Sequence, residues 1–98
     1  MSQINPELAS LQAVLTGRVQ GVSFRVFVHM HASRLGLTGY VRNLRQSGGL
    51  DVRAEGKRTQ LEELLVYLNR GPAGARVDGI ELRWGEYTGD YPGFEIRY

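Results

Sequence analysis

What most limits the fold of this chain is the order in which its hydrophobic period changes. Apolar residues alternate at a spacing of two, recur at three and four, return twice to two, recur again at three and four, and end on two. Leu11, Ala13 and Leu15 alternate through a first strand, Leu11 to Val19. Phe24, Phe27, Val28, His31, Ala32 and Leu35 form the stripe of an amphipathic helix, from about Phe24 to Leu35. Ser23 stands where an N-cap belongs, and Gly36 where a left-handed residue ends a helix. Thr38 to Leu44 reads as a second strand, followed by a turn at Gln46-Ser47-Gly48-Gly49. In Leu50 to Glu55, Leu50, Val52 and Ala54 alternate with Asp51, Arg53 and Glu55, which predicts a half-buried hairpin strand closed by Gly56. Thr59 and Glu62 match a capping box ahead of the stripe Leu61, Leu64, Leu65 and Leu68, and Gly71-Pro72 ends that helix. Val77 to Trp84 places Ile80, Leu82 and Trp84 on one face, and Phe94, Ile96 and Tyr98 alternate in a short last strand.

The order βαββαβ plus a short C-terminal strand defines an α+β chain. Its expected form is a ferredoxin-like split βαβ sandwich with a mainly antiparallel sheet. Right-handed crossovers place both helices on one face. At 98 residues the chain holds one domain. Residues 1–10 are polar, contain Pro6 and show no period, so they are read as a flexible arm before a domain spanning 11–98.

Composition removes several chemistries. There is no cysteine, hence no disulfide, thiolate nucleophile or zinc–thiolate site. The formal charge of +2 is too small a surplus to mark a nucleic-acid binder. No apolar run reaches the length of a membrane span, and the first residues carry neither a basic nor an apolar leader region. A cytoplasmic monomer is the expectation. His29 and His31 are two apart on a helix and face different ways, so they make no metal pair, and His31 joins the apolar stripe. No metal motif appears, and neither metal nor cofactor is expected.

The junction Gly17-Arg18-Val19-Gln20-Gly21-Val22-Ser23-Phe24-Arg25 is the strongest local feature. Consecutive N–H groups in a glycine-permitted turn converge on an anion, and the helix behind them adds its positive end. Arg25 falls in the first helical turn, where a cation opposes the dipole at a cost of about 0.3–1 kcal/mol. An anion between the two makes that placement favourable. The competing reading is an ordinary strand-to-helix turn with solvated arginines, and the loop matches neither Walker A nor G-x-G-x-x-G. Asn43, near a strand end, reads either as a turn residue bonded to its own backbone or as an amide that orients a water or an oxyanion.

Together the segments Gly17 to Arg25 and Leu35 to Asn43 resemble the acylphosphatase family. Gly71-Pro72, Ala75-Arg76-Val77 and Phe94 to Tyr98 extend the resemblance over about residues 11 to 98. It implies the fold already read from the periods. It also implies hydrolysis of acyl phosphates, carboxyl–phosphate mixed anhydrides, to a carboxylate and inorganic phosphate. By the same resemblance Arg25 matches the phosphate-binding arginine and Asn43 the asparagine that positions the attacking water. Arg18, Val19, Gln20, Gly21, Val22 and Ser23 match the backbone cradle. Many members carry glycine at the position of Ser23 and tryptophan at that of Tyr40. Two alternatives compete with the hydrolase. One is a non-catalytic module binding phosphate or an acyl or carbamoyl phosphate. The other is a single-stranded RNA binder of the same element order. The RNA reading needs stacking aromatics on the central strands, and Leu11–Val19 and Leu50–Glu55 contain none.

Overall fold

A computed structural model describes residues 7–98. Its elements are β1 (Leu8–Arg18), α1 (Phe24–Arg34), β2 (Thr38–Asn43), β3 (Leu50–Lys57), α2 (Arg58–Arg70), β4 (Arg76–Gly85) and β5 (Phe94–Arg97). The five strands form one sheet in the order β4-β1-β3-β2-β5. Every pair is antiparallel except β2 with β5. The α+β ferredoxin-like sandwich expected from the periods is therefore the fold.

The core lies between one face of the sheet and the helices. Leu11, Ala13 and Leu15 of β1 pair with Ala54, Val52 and Leu50 of β3, and directly paired residues share a face. Phe24, Val28 and Ala32 of α1 and Leu61, Leu64 and Leu68 of α2 cover that face, all buried. Truncating any of these leucines to alanine would cost about 2–5 kcal/mol. Helix α1 ends through its backbone, with Leu37 N–H donating to Ala32 C=O and Gly36 N–H to Ser33 C=O. Gly36 has the positive φ, 73°, that this closure requires.

Several boundaries and roles differ from the sequence reading. Strand β1 begins at Leu8, because β3 continues through Gly56 to Lys57 and offers Ala9 and Leu8 partners. Leu8 to Ser10 thus belong to the sheet and not to an arm; residues 1–6 lie outside the described residues. The capping box does not form. Helix α2 starts directly from β3 with Lys57 at the N-cap, and Arg58 N–H donates to Glu7 C=O. Glu62 instead meets Arg58 at 3.5 Å, one helical turn apart. Tyr98 follows β5 and is 88% exposed, so the last strand buries Phe94 and Ile96 only in part and Tyr98 not at all. Asp51 and Glu55 are buried, where alternation placed them toward solvent. Residues 88–89 fold back over Glu55, which accepts from Thr88 N–H, Thr88 Oγ1 and Gly89 N–H at 2.8–3.3 Å.

His31 sits between the helices. Its ring stacks on Tyr67 of α2 with centroids 3.8 Å apart and meets Phe27 edge-on at 4.5 Å. Burial first, then Arg34 and Arg70, holds its pKa below the ordinary 6.5. The folded state therefore binds the proton less well than the unfolded chain. The stability from neutral His31 is complete above pH 6.5 and declines as pH falls from there through the folded pKa. Denaturant unfolding at pH 8 and pH 5 checks this: the loss between the two pH values should shrink in His31→Phe. An equal loss in both proteins would place the pH dependence elsewhere.

Candidate active site

Strands β1 and β2 run in the same direction with β3 between them, so their C-terminal ends emerge on one side of the sheet. Leu15, Leu50 and Asn43 form one row across the three strands. Neighbouring strands lie about 4.8 Å apart, so Asn43 is two strand spacings from β1. It shares the face of Leu15 and Leu50, the face on which α1 lies. The turn from β1 into α1 returns the chain to the same edge and brings Arg25 there.

The result is an open depression of about 300 Å³ lined by Val19, Gln20, Gly21, Ser23, Phe24, Arg25, Val26 and Asn43. Six of the expected site residues thus meet. Arg18 and Val22 do not line it. Arg18 is the last residue of β1, paired with Arg76, and Val22 packs against the core. Glycine 17 also has another task. It lies within β1 at a bulge against β4, where a Cβ would approach Arg76 C=O to 2.3 Å. Glycine there is dictated by the strand neighbour, and Gly21, with φ 71°, is left to shape the turn.

The donors of the turn have no partner among the described residues. The N–H groups of Gly21, Val22 and Ser23 make no hydrogen bond with a described residue. The first intrahelical bond of α1 runs from Phe27 N–H to Ser23 C=O, so Phe24, Arg25 and Val26 N–H also lack helical partners. Arg25 makes no ion pair with a described residue; its guanidinium lies 4.6 Å from the ring centre of Tyr98. The side-chain amide of Asn43 likewise has no hydrogen bond to a described residue. That removes the reading in which Asn43 serves its own turn.

Gln20 does something its sequence position did not disclose. Its Nε2 donates to Leu44 C=O at 3.1 Å and to Gly49 C=O at 2.8 Å, the two ends of the β2–β3 hairpin. It ties the turn to the hairpin that carries Asn43. Both partners are backbone atoms more than twenty residues away, so no local pattern could have revealed them.

Ser23 occupies the N-cap with φ 61° and ψ 27°, and its hydroxyl caps nothing. Among the described residues it is the only non-glycine with positive φ. Such a conformation costs an L-residue about 1–2 kcal/mol, against about 0.5–1 kcal/mol of extra chain entropy for glycine. Ser23→Gly is expected to raise stability by about 0.5–1 kcal/mol in urea unfolding with the cradle intact. A fall in stability would show that the hydroxyl contributes after all.

An α+β sandwich of this strand order is a ferredoxin-like domain, and its β1–α1 turn sets N–H groups without described partners and a guanidinium beside the Asn43 amide of β2. The acylphosphatase family model matches residues 11–96. The acylphosphatase of Anaeromyxobacter sp. (strain Fw109-5) is 42% identical over 92 residues, covering 94% of this chain and 98% of that protein. The crystal structure of acylphosphatase from Bacillus subtilis superposes with a TM-score of 0.87 at 30% identity, covering 92% of this chain and 99% of that one. An acylphosphatase from Coxiella burnetii gives 0.84 at 35% identity, covering 99% and 100%. The chain belongs to the acylphosphatase family, and it is a hydrolase.

Proposed function

We propose that this protein hydrolyses acyl phosphates by direct attack of water on phosphorus. The observation that carries the reading is the meeting in one depression of Arg25, the Asn43 amide and the N–H groups of Gly21, Ser23, Phe24, Arg25 and Val26, none of them hydrogen-bonded to a described residue. Each of these groups can donate to anionic oxygen without leaving a described partner unsatisfied. The Asn43 amide offers an acceptor oxygen as well.

An acyl phosphate brings its own good leaving group, a carboxylate. Its phosphoryl transfer spreads charge over the equatorial oxygens of a loose transition state. The protein has to hold those oxygens and place a water in line. The Arg25 fork and the cradle N–H groups hold the phosphate. The Asn43 carbonyl oxygen accepts one proton of the water and fixes its lone pair toward phosphorus. Water forms the new P–O bond, the bridging P–O bond breaks, and the carboxylate leaves with the electron pair. The proton lost by water passes to a phosphate oxygen. The chain has no cysteine, and the Ser23 hydroxyl bonds to no base among the described residues, so no covalent phosphoryl-enzyme is part of the reading.

Benzoyl phosphate hydrolysed in ¹⁸O-labelled water tests the bond order. Attack on phosphorus puts the label in inorganic phosphate. Label in benzoate would mean attack at the carbonyl and would end this proposal. A non-catalytic phosphate module predicts no turnover above the spontaneous rate.

A further inference from the structure

The open face of the sheet, away from the helices, carries a second group of unmatched donors. Arg53 on β3 and Arg83 on β4 both pair with Gln12 of β1, so the three form one row across adjacent strands. Ser10 stands in the next row, paired with Glu55 and Gly85. A pocket of about 120 Å³ lies among Ser10, Gln12, Arg53, Arg83 and Gly85.

Three observations show that this pocket is short of acceptors. Arg53 Nε is buried and has no hydrogen-bond partner. Ser10 is only 3% exposed, and its hydroxyl bonds to no described residue. Arg83 makes no ion pair or hydrogen bond with a described residue. A buried polar group without a partner costs roughly 1–3 kcal/mol, so its presence calls for an explanation. The carboxylates nearby are committed or turned away. Glu55 takes the bonds from Thr88 and Gly89 and reaches Arg53 only at 3.8 Å. Asp51 accepts from Gln12 Nε2 and Arg42 Nε. Glu81 lies two residues from Arg83 on the same face, without forming an ion pair with it. Gly85 keeps the space open, since a Cβ there would come within 3.0 Å of Ser10 Oγ.

We infer that this pocket binds a small oxyanion, phosphate or carboxylate, held by Arg53, Arg83 and the Ser10 hydroxyl. Two guanidinium forks and a hydroxyl supply donors, and what is missing is an acceptor with several oxygens. The site is separate from the cradle. Gln12 is six residues before Arg18, about 20 Å along β1 at 3.3 Å per residue, and it faces the other side of the sheet.

The test uses Arg25→Ala, which weakens the cradle, and follows amide resonances while inorganic phosphate or acetate is added. Saturable shifts at Ser10, Gln12 and Gly85 are expected with at least one of the two, and the stronger of them names the ligand class. Adding the exposed Arg83→Gln should weaken that binding about tenfold or more while the spectrum stays folded. No shift at these residues with either anion would overturn the inference. So would shifts that persist at full strength in Arg83→Gln.

Discussion

Arg25→Ala and Asn43→Ala should each hydrolyse benzoyl phosphate about 100- to 1000-fold more slowly than the unchanged protein, the usual loss when one preorganised donor is removed. That corresponds to about 2.7–4 kcal/mol of transition-state stabilisation. The two variants should differ in how the loss appears. In the proposed mechanism Arg25 holds the phosphate in both ground and transition states, so its removal should raise KM and lower kcat, and should weaken inhibition by inorganic phosphate. In the same mechanism Asn43 acts on the water alone, so its removal should lower kcat with KM and phosphate inhibition nearly unchanged. Steady-state kinetics with phosphate as inhibitor separate the two. Turnover of either variant at the unchanged rate would dissolve its assigned role. Neither side chain has a bond within the described protein to lose, apart from the contact of Arg25 with the Tyr98 ring, so folding should survive both changes.

Glu55→Ala should destabilise the fold by about 3 kcal/mol or more. The carboxylate is fully buried, and Thr88 N–H, Thr88 Oγ1 and Gly89 N–H all donate to it. Truncation strips three donors of their acceptor and leaves Arg53 without its nearest carboxylate. Urea unfolding reads the result as a lower midpoint at constant m-value. Glu55→Gln keeps one acceptor oxygen and should lose less. A loss below about 1 kcal/mol for Glu55→Ala would mean that water takes over these bonds without penalty.

That second effect could not have been foreseen from β3 alone. The alternation of Leu50, Val52 and Ala54 with charged residues correctly named the core face. It misplaced Glu55 because the covering segment comes more than thirty residues later, and Asp51 because Gln12 and Arg42 of the two neighbouring strands bond to it. Periodicity reports what a strand presents, and it is blind to what later folds over it. The same limit explains Gly17, whose need for glycine comes from a backbone carbonyl of β4. The capping box failed for a local reason: with β3 running to Lys57, no residues remained to place Thr59 before the helix. By contrast, Arg25 and Asn43 were legible early. Arg25 sat against its local preference, a cation at the positive end of a helix, whereas Asn43 near a strand end also read as a turn residue and was singled out by the family resemblance. Their meeting was not legible, since it depends on the sheet order.

The position of β3 between β1 and β2 also bears on how activity arises during folding. The two halves of the cradle belong to strands that never touch each other, and the Gln20 bonds join them only after the hairpin has inserted. The parallel β2–β5 pair draws the end of the chain into the same sheet. Pairings of such long sequence separation form slowly. Catalysis should therefore return last on refolding, and enzyme rate becomes a clock for completion of the sheet.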